Sequence, residues 1–506
     1  MIVVLLAALL LFAAAPEAHS QLSIDNLLEL QAGNKPNTEP SDRTDAYEQL
    51  NATLSFGELR AGVRFESDHN SEESLPYDQI TQRWLEFQDQ YLHARVGHYT
   101  TILGRGLLHR SFALPAVVLD QPGLGSRYGF LRDVDGVLLE GEWGPVAVRA
   151  LDGRPNAGDT SPGFAEAFDA PRHVGEMSGG QAFVTVWRGS RVGVDYMRFT
   201  PDGTRKGEYG SGTVELDPLR LAGVTRIALP LAVEYARQNP GFAEWFQFDT
   251  PDGVPKALYA SANLLWGGLG VSAEWKDYER FSLGINDPPS LVREHTFVLP
   301  NRSTHLLHAQ DEQGYQLEGS YRLARWGSLI ANTSRGDGKI SPSLPPRRFA
   351  EQYVELDLES ARDPAGQAAF FYDHSEDTFE GVQGRDIAGG RIKHAIAWSL
   401  TGELDVEKAH IRIAPNAFDD WYSSLAIAHD HIGTVAFVWQ RTFNPAEQID
   451  TLPRDYFAGT VSAPLGQHHV VTLFAGQRRE GLACTAGTCY TVSAFEGAEL
   501  RLTSRF

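Results

Sequence analysis

The connections in this chain come in two sizes, and the two sizes alternate from one end to the other. One set is tiny: Gly57-Glu58, Asp89-Gln90, Gly144-Pro145, Gly189-Ser190, Ala222-Gly223, Gly267-Gly268, Ala324-Arg325, Asp363 to Gly366, Thr401-Gly402, Asp430 to Gly433 and Pro464 to Gln467. The other set is long and rich in Asp, Glu, Pro and Gly. It falls near 33–45, 69–77, 99–132, 153–178, 201–210, 239–255, 281–312, 336–347, 375–386, 409–418, 442–455 and 478–490. Between them run segments of period two. In LGVSAEWK, Leu269, Val271, Ala273 and Trp275 oppose Gly270, Ser272, Glu274 and Lys276. LRAGVRFE (Leu59 to Glu66) and YQLEGSYRL (Tyr315 to Leu323) alternate in the same way. Successive strand side chains point to opposite faces, so these are strands with one apolar and one polar face. QAFVTVW (Gln181 to Trp187) is apolar on both faces, so the pattern is not universal.

A soluble sandwich or propeller has no reason to sort its connections by length. A transmembrane antiparallel up-and-down β-barrel does: its turns are short on one side and its loops long on the other. Eleven short turns and twelve long loops predict an all-β barrel of about 20–24 strands, with both termini on the short-turn side. After Ser20 no run of 18 apolar residues occurs. A closed barrel is the other structure that satisfies its own backbone in lipid.

The first residues have a different character. Ile2 to Ala15 is an unbroken apolar run and Ala18-His19-Ser20 a small-x-small site. About 14 apolar residues are too few to cross a bilayer as a helix but suit the core of a signal peptide. Residues 1–20 are therefore expected to be an export signal, atypical in having no Lys or Arg before the run, and 21–506 the barrel. Two cysteines, Cys484 and Cys489, flank a Thr-Ala-Gly-Thr turn. In an exported protein such a close pair is expected to be a disulfide across a loop tip.

The last ten residues, GAELRLTSRF, put Phe506, Leu502, Leu500 and Ala498 on one face and Arg505, Thr503, Arg501 and Glu499 on the other. A closing strand of this kind resembles that of Gram-negative outer-membrane β-barrels, which ends on an aromatic with apolar residues at alternating positions. Ser504 departs from that pattern. The resemblance implies an outer-membrane location, surrounding lipid and lipopolysaccharide as partners, and a terminal strand (Phe506, Leu502, Leu500) read by the barrel-assembly machinery. VGHYTTILGRGLLHRSF (Val96 to Phe112) is also similar to a strand followed by Gly-Arg-Gly-Leu in an uncharacterised porin-like family. That likeness implies fold and location, with no substrate.

No catalytic signature stands out, neither G-x-S-x-G, H-E-x-x-H nor a Walker loop. No cofactor or metal is expected; His295, His305 and His308 share one long loop and read as solvent-exposed. Net charge is −21, which argues against a nucleic-acid partner. It also suggests that contact with anionic glycolipid needs bridging divalent cations. The polar strand faces and one loop supply candidate pore-lining residues: Arg60, Arg64, Arg95, Glu274, Lys276, Glu318 and Arg322 from the wall, with Arg105, His109 and Arg110 from the loop near 99–132. That loop carries Ile102, Leu103, Leu107, Leu108, Phe112 and Leu114, too apolar to stand in water. It is expected to fold inward and either set a constriction or cap the barrel. The function expected is a channel for small hydrophilic solutes. The alternative is a non-conducting scaffold that binds glycan or a partner through loops such as Asn239 to Gly253.

Overall fold

A computed structural model describes residues 20–506 except 37, 39–40, 73–74, 122, 157, 188, 202–205, 240–252, 290, 292, 303, 305–310, 339–344, 361–362, 364–365, 398, 449–451 and 486–487. Neighbouring strands pair antiparallel all the way round, giving a closed up-and-down barrel of 24 strands. Ser20–Asn34 pairs with Asp42–Phe56 on one side and with Phe495–Arg505 on the other, so the wall has no free end. Phe506 completes the closure: its N–H donates to the Ile24 carbonyl at 2.9 Å and its carbonyl accepts from Ile24 at 3.0 Å. Among the described residues no helix is long and apolar enough to cross a membrane.

The alternation of the sequence becomes inside and outside. Leu317, Leu329, Val354, Phe370, Leu404, Val406, Leu425 and Phe437 face outward and are exposed. Their sequence neighbours Glu318, Tyr353, Glu355, Phe371, Asp405 and Glu407 face the lumen. A barrel with an apolar exterior and a polar interior is stable in lipid because every backbone group is paired within the wall.

The inner face changes character along its length. In Asp42–Phe56, Arg43, Asp45, Tyr47 and Gln49 are buried toward the long-loop end, and no residue is buried from Asn51 to the short turn. Val382–Ala397 repeats the pattern, with Val382, Arg385 and Ile387 buried and nothing buried beyond them. The lumen is therefore filled toward the long loops and open to water toward the short turns.

Several connections read as long are short. Leu400–Ile413 and Asn416–His429 are joined by Ala414 and Pro415 alone, so 409–418 is strand rather than loop. Gln367–Asp377 and Val382–Ala397 are separated by only a four-residue turn, so much of 375–386 is also strand. In both places polar residues that suggested a loop are outward-facing strand residues above the apolar belt. The reverse error occurs at Ala222-Gly223, which belongs to a longer connection containing the helical turn Pro218–Leu221.

One stretch of the wall is stepped. Tyr77–Gln88 has 12 residues, yet only Trp84 to Gln88 pair with the next strand, Leu92–Tyr99. Beyond Trp84 that edge is bridged by side chains: the Gln82 amide donates to Asp133 at 2.9 Å and the Gln79 amide to Glu166 at 2.9 Å.

Candidate functional site

The candidate site is the lumen, and two chain segments occupy its long-loop half. The first is residues 99–132. Leu103, Leu107 and Leu108 are wholly buried against the inward faces of the wall, among Leu138, Met177, Met197, Phe199, Tyr259 and Tyr278. Full burial of such a side chain stabilises by roughly 1.5–3 kcal/mol. An apolar inner wall is unusual for a water-filled barrel, and it is found where these leucines seat.

The tip of the segment is fixed by polar contacts. The Arg105 backbone N–H donates to Glu234 at 2.6 Å, and the guanidinium pairs with Glu215 at 3.0 Å. Gly104 makes this possible. Its φ is +56°, and a Cβ there would lie 2.4 Å from a Glu234 carboxylate oxygen. Glu234 is reached through a continuous wall network: the Ser211 hydroxyl lies 2.7 Å from both Glu234 and Asp195, and Gln181 donates to Asp195 at 2.5 Å. The second half of the segment crosses to the opposite wall. The Gly129 N–H donates to Glu66 at 3.1 Å, the Arg127 N–H to Asp68 at 2.9 Å, and the Arg127 side chain pairs with Glu29.

The second occupying segment is 280–304, whose role the sequence did not reveal. Its first half, through Phe281, Ile285 and Leu291, joins the cluster of the first segment's leucines, while Phe297 and Leu299 pack in a separate cluster on Tyr353, Phe371, Ile387 and Ala409. Glu407 accepts the backbone N–H groups of Val298 and Leu299 at 2.9 and 2.7 Å, at the start of the helical turn Val298–Arg302. Arg293 pairs with Glu318 at 2.6 Å, and Arg302 donates to Gln440 at 2.6 Å. His295 is not solvent-exposed: its side chain is buried, with Nε2 3.0 Å from Glu351 and the ring against Tyr353. His305 and His308 lie outside the described residues. The signal was present in Phe281, Leu283, Ile285, Leu291, Phe297 and Leu299, the same excess of apolar residues that marks 99–132.

The expected pore-lining residues divide into three groups. Arg60 and Arg95 converge on Glu86 at 3.2 and 3.1 Å, with Arg95 stacked over Trp84. Arg60, Arg105 and Arg322 retain substantial exposure toward the lumen or its short-turn mouth. Arg64, Arg110, Glu274 and Glu318 are intermediate: Arg64 donates to Asn51 at 2.7 Å and Arg110 faces Asp287 at 3.4 Å. Burial raises the Asp287 carboxyl above its ordinary value although Arg110 and Arg132 face it.

Two candidates face no water. Lys276 is buried against Glu312, because the strand periodicity that turned it inward placed it under the infolded segments. Lys276→Met should cost ~3–5 kcal/mol by taking away the ammonium that the buried Glu312 carboxylate pairs with, whereas Lys276→Met with Glu312→Leu should recover most of that. Urea unfolding in detergent micelles measures both.

His109 is also buried, so it is a packing residue of the loop and not a charged rim. Burial pushes its imidazole down to about 4 from an ordinary 6.5. A folded-state value below the unfolded one means that the unfolded loop takes up the proton first. Stability of this packing should therefore fall by ~3 kcal/mol as pH drops from 6.5 to 4. Amide exchange across 103–110 should accelerate over that window, and His109→Leu should flatten the response.

At the closing strand, the Phe506 ring packs on His468 and His469, and His469 Nδ1 lies 2.8 Å from the Ser504 hydroxyl. The departure at Ser504 thus has a local partner. Leu500 and Leu502 stand opposite Leu30 and Leu28. Backbone pairing sets Cys484 directly opposite Cys489 in a hairpin.

No family model matches the chain, and no curated protein matches it. Among solved structures it is similar to OccK5 (OpdH) of Pseudomonas aeruginosa, at 12% identity over 77% of this chain and 97% of that one, TM-score 0.39. It is also similar to the siderophore receptor PirA of Pseudomonas aeruginosa, at 8% identity over 97% and 81%, TM-score 0.45. A third likeness is to the P pilus usher (PapC) translocation pore, at 7% identity over 96% and 99%, TM-score 0.46. Likenesses this distant carry no choice among porin, receptor and usher. The closed barrel rests on this chain's own hydrogen-bond ladder.

Proposed function

We propose that this chain is an outer-membrane channel of the porin kind for small hydrophilic solutes, its bore set by residues 99–132 and 280–304. The carrying observation is the division of the inner face. Toward the short turns it is polar and wet; toward the long loops it is occupied by two segments fixed to separate strands of the wall by Glu234 and Glu407. On this reading the short turns are periplasmic and the long loops extracellular. Arg60, Arg105 and Arg322, the expected pore-lining residues that keep the most exposure, are the charged groups offered to a water path. Residues 1–20 act as the export signal, and Cys484 and Cys489 form a disulfide across one extracellular hairpin. The closing strand, through Phe506, Leu502 and Leu500, is the part presented to the barrel-assembly machinery. Purified protein in planar bilayers should give discrete open-channel currents. Silence from fully folded protein would overturn the channel.

Silence would favour the second reading, a non-conducting scaffold. One observation supports it: buried pairs such as Lys35 with Asp45 at 2.5 Å and Lys276 with Glu312 belong to a permanently filled lumen. The loop Asn239 to Gly253, a candidate glycan- or partner-binding surface, lies almost wholly outside the described residues.

A further inference from the structure

The outer face of the wall ends its apolar belt abruptly between Gly327–Gly338 and Arg454–Leu465. Pairing lays the outward residues out in rows. One row reads Phe370, Gly390, Val406, Ser423, Trp439, Phe457. The next, one step toward the long loops, reads Tyr372, Ala388, Lys408, Trp421, Arg441, Asp455. The row above it is His374, Asp386, His410, Asp419. Over four residues along these strands the exterior passes from a mostly apolar row, through one carrying Tyr372 and Trp421, to a charged one. That is the depth profile of a membrane–water interface, where aromatic rings form girdles.

The charged residues are organised. Asp337 holds Arg335 at 2.5 Å and Arg348 at 3.1 Å. Asp386 holds His374 at 2.8 Å and Arg412 at 3.1 Å, and also accepts from the Tyr372 hydroxyl. Asp419 holds His410 at 2.7 Å and Lys408 at 3.0 Å, with Lys408 over the Trp421 ring. Each of these three aspartates thus steadies two bases. A guanidinium carries five N–H donors and an ammonium three, so donors remain in excess of the acceptors beside them. The side chains stay open to the outside, Arg348 at 50%, Lys408 at 44% and Arg412 at 42%. In a chain of net charge −21, five Arg and Lys side chains of this strip meet four paired aspartates and Glu376, with two histidines besides.

We infer that this strip is a docking surface for the phosphate groups of the surrounding leaflet's lipid headgroups, the aspartates holding the bases and the bases donating outward. Charge-assisted contacts to phosphate are among the stronger hydrogen bonds, and arginine is shaped for them. The sequence reading, from net charge alone, required divalent cations as bridges; this strip makes direct contact without them. The inference rests on the membrane-barrel reading but not on conduction.

The test uses full-length folded protein in detergent, with a bis-phosphorylated glycolipid as probe and its dephosphorylated form as control, read by native mass spectrometry. Wild type should retain the phosphorylated lipid. Arg348→Gln, Lys408→Gln and Arg412→Gln combined should retain it at least about tenfold more weakly, as expected for losing several charge-assisted contacts. Heat-modifiable migration and single-channel current of the variant should be unchanged, which separates this failure from loss of the barrel or of the channel. Equal retention by the variant, equal retention of the dephosphorylated lipid, no retention by wild type, or displacement by millimolar inorganic phosphate would each overturn the inference.

Discussion

Excising residues 104–119 should raise single-channel conductance at least about twofold, since current through a wide barrel follows its open cross-section. The segment is not a flap. Leu107 and Leu108 are wholly buried against wall residues, and Arg105 reaches Glu215 and Glu234 on the inner face. Removing it clears one side of the lumen and uncovers Leu138, Met197 and Phe199 there. The segment 280–304, part of which packs in the same cluster, still occupies the lumen, so excising both should have the larger effect. Planar-bilayer recording of the two single excisions and the double excision measures this. An unchanged current in all three would mean that the bore is set elsewhere, and the segments would be lids without selective work.

Phe506→Asp should reduce the folded outer-membrane fraction in cells several-fold while leaving refolding into micelles nearly intact. A charge on the lipid face near an interface costs only about 0–1 kcal/mol, too little to unfold a barrel with a continuous ladder. The backbone bonds between Phe506 and Ile24 do not depend on the side chain. A large loss in cells therefore points to recognition during assembly, and an equal loss in vitro to plain instability. Heat-modifiable migration, scored in both settings, separates the two. Normal assembly in cells would end the recognition reading.

What was legible in the sequence was whatever depends on which face a residue takes. Leu269 to Lys276 fixes a strand and its sides by alternation alone, and the pairing of Phe495–Arg505 with Ser20–Asn34 follows from the even count. Alternation is silent about what lies over a face. Lys276 and Arg60 are both inward on clean strands, yet one is sealed beneath a loop and the other stands in water. Depth along the barrel was also hard to see. His410 and Arg412 looked like loop because a strand facing lipid rarely carries such residues outward, but a strand that rises through the interface does. The segment 280–304 went unnoticed because its apolar residues are spaced between prolines, asparagine and charges. Only the wall shows what they meet.

The stepped stretch at Tyr77–Gln88 gives the cylinder a preferred place to yield. Like a cask with one short stave, it depends there on a few polar clasps, Gln82 to Asp133 and Gln79 to Glu166, where other neighbours share a longer run of rungs. Strain imposed from either rim, by heat or by a shift in bilayer thickness, will gather at that joint before the hoop opens anywhere else.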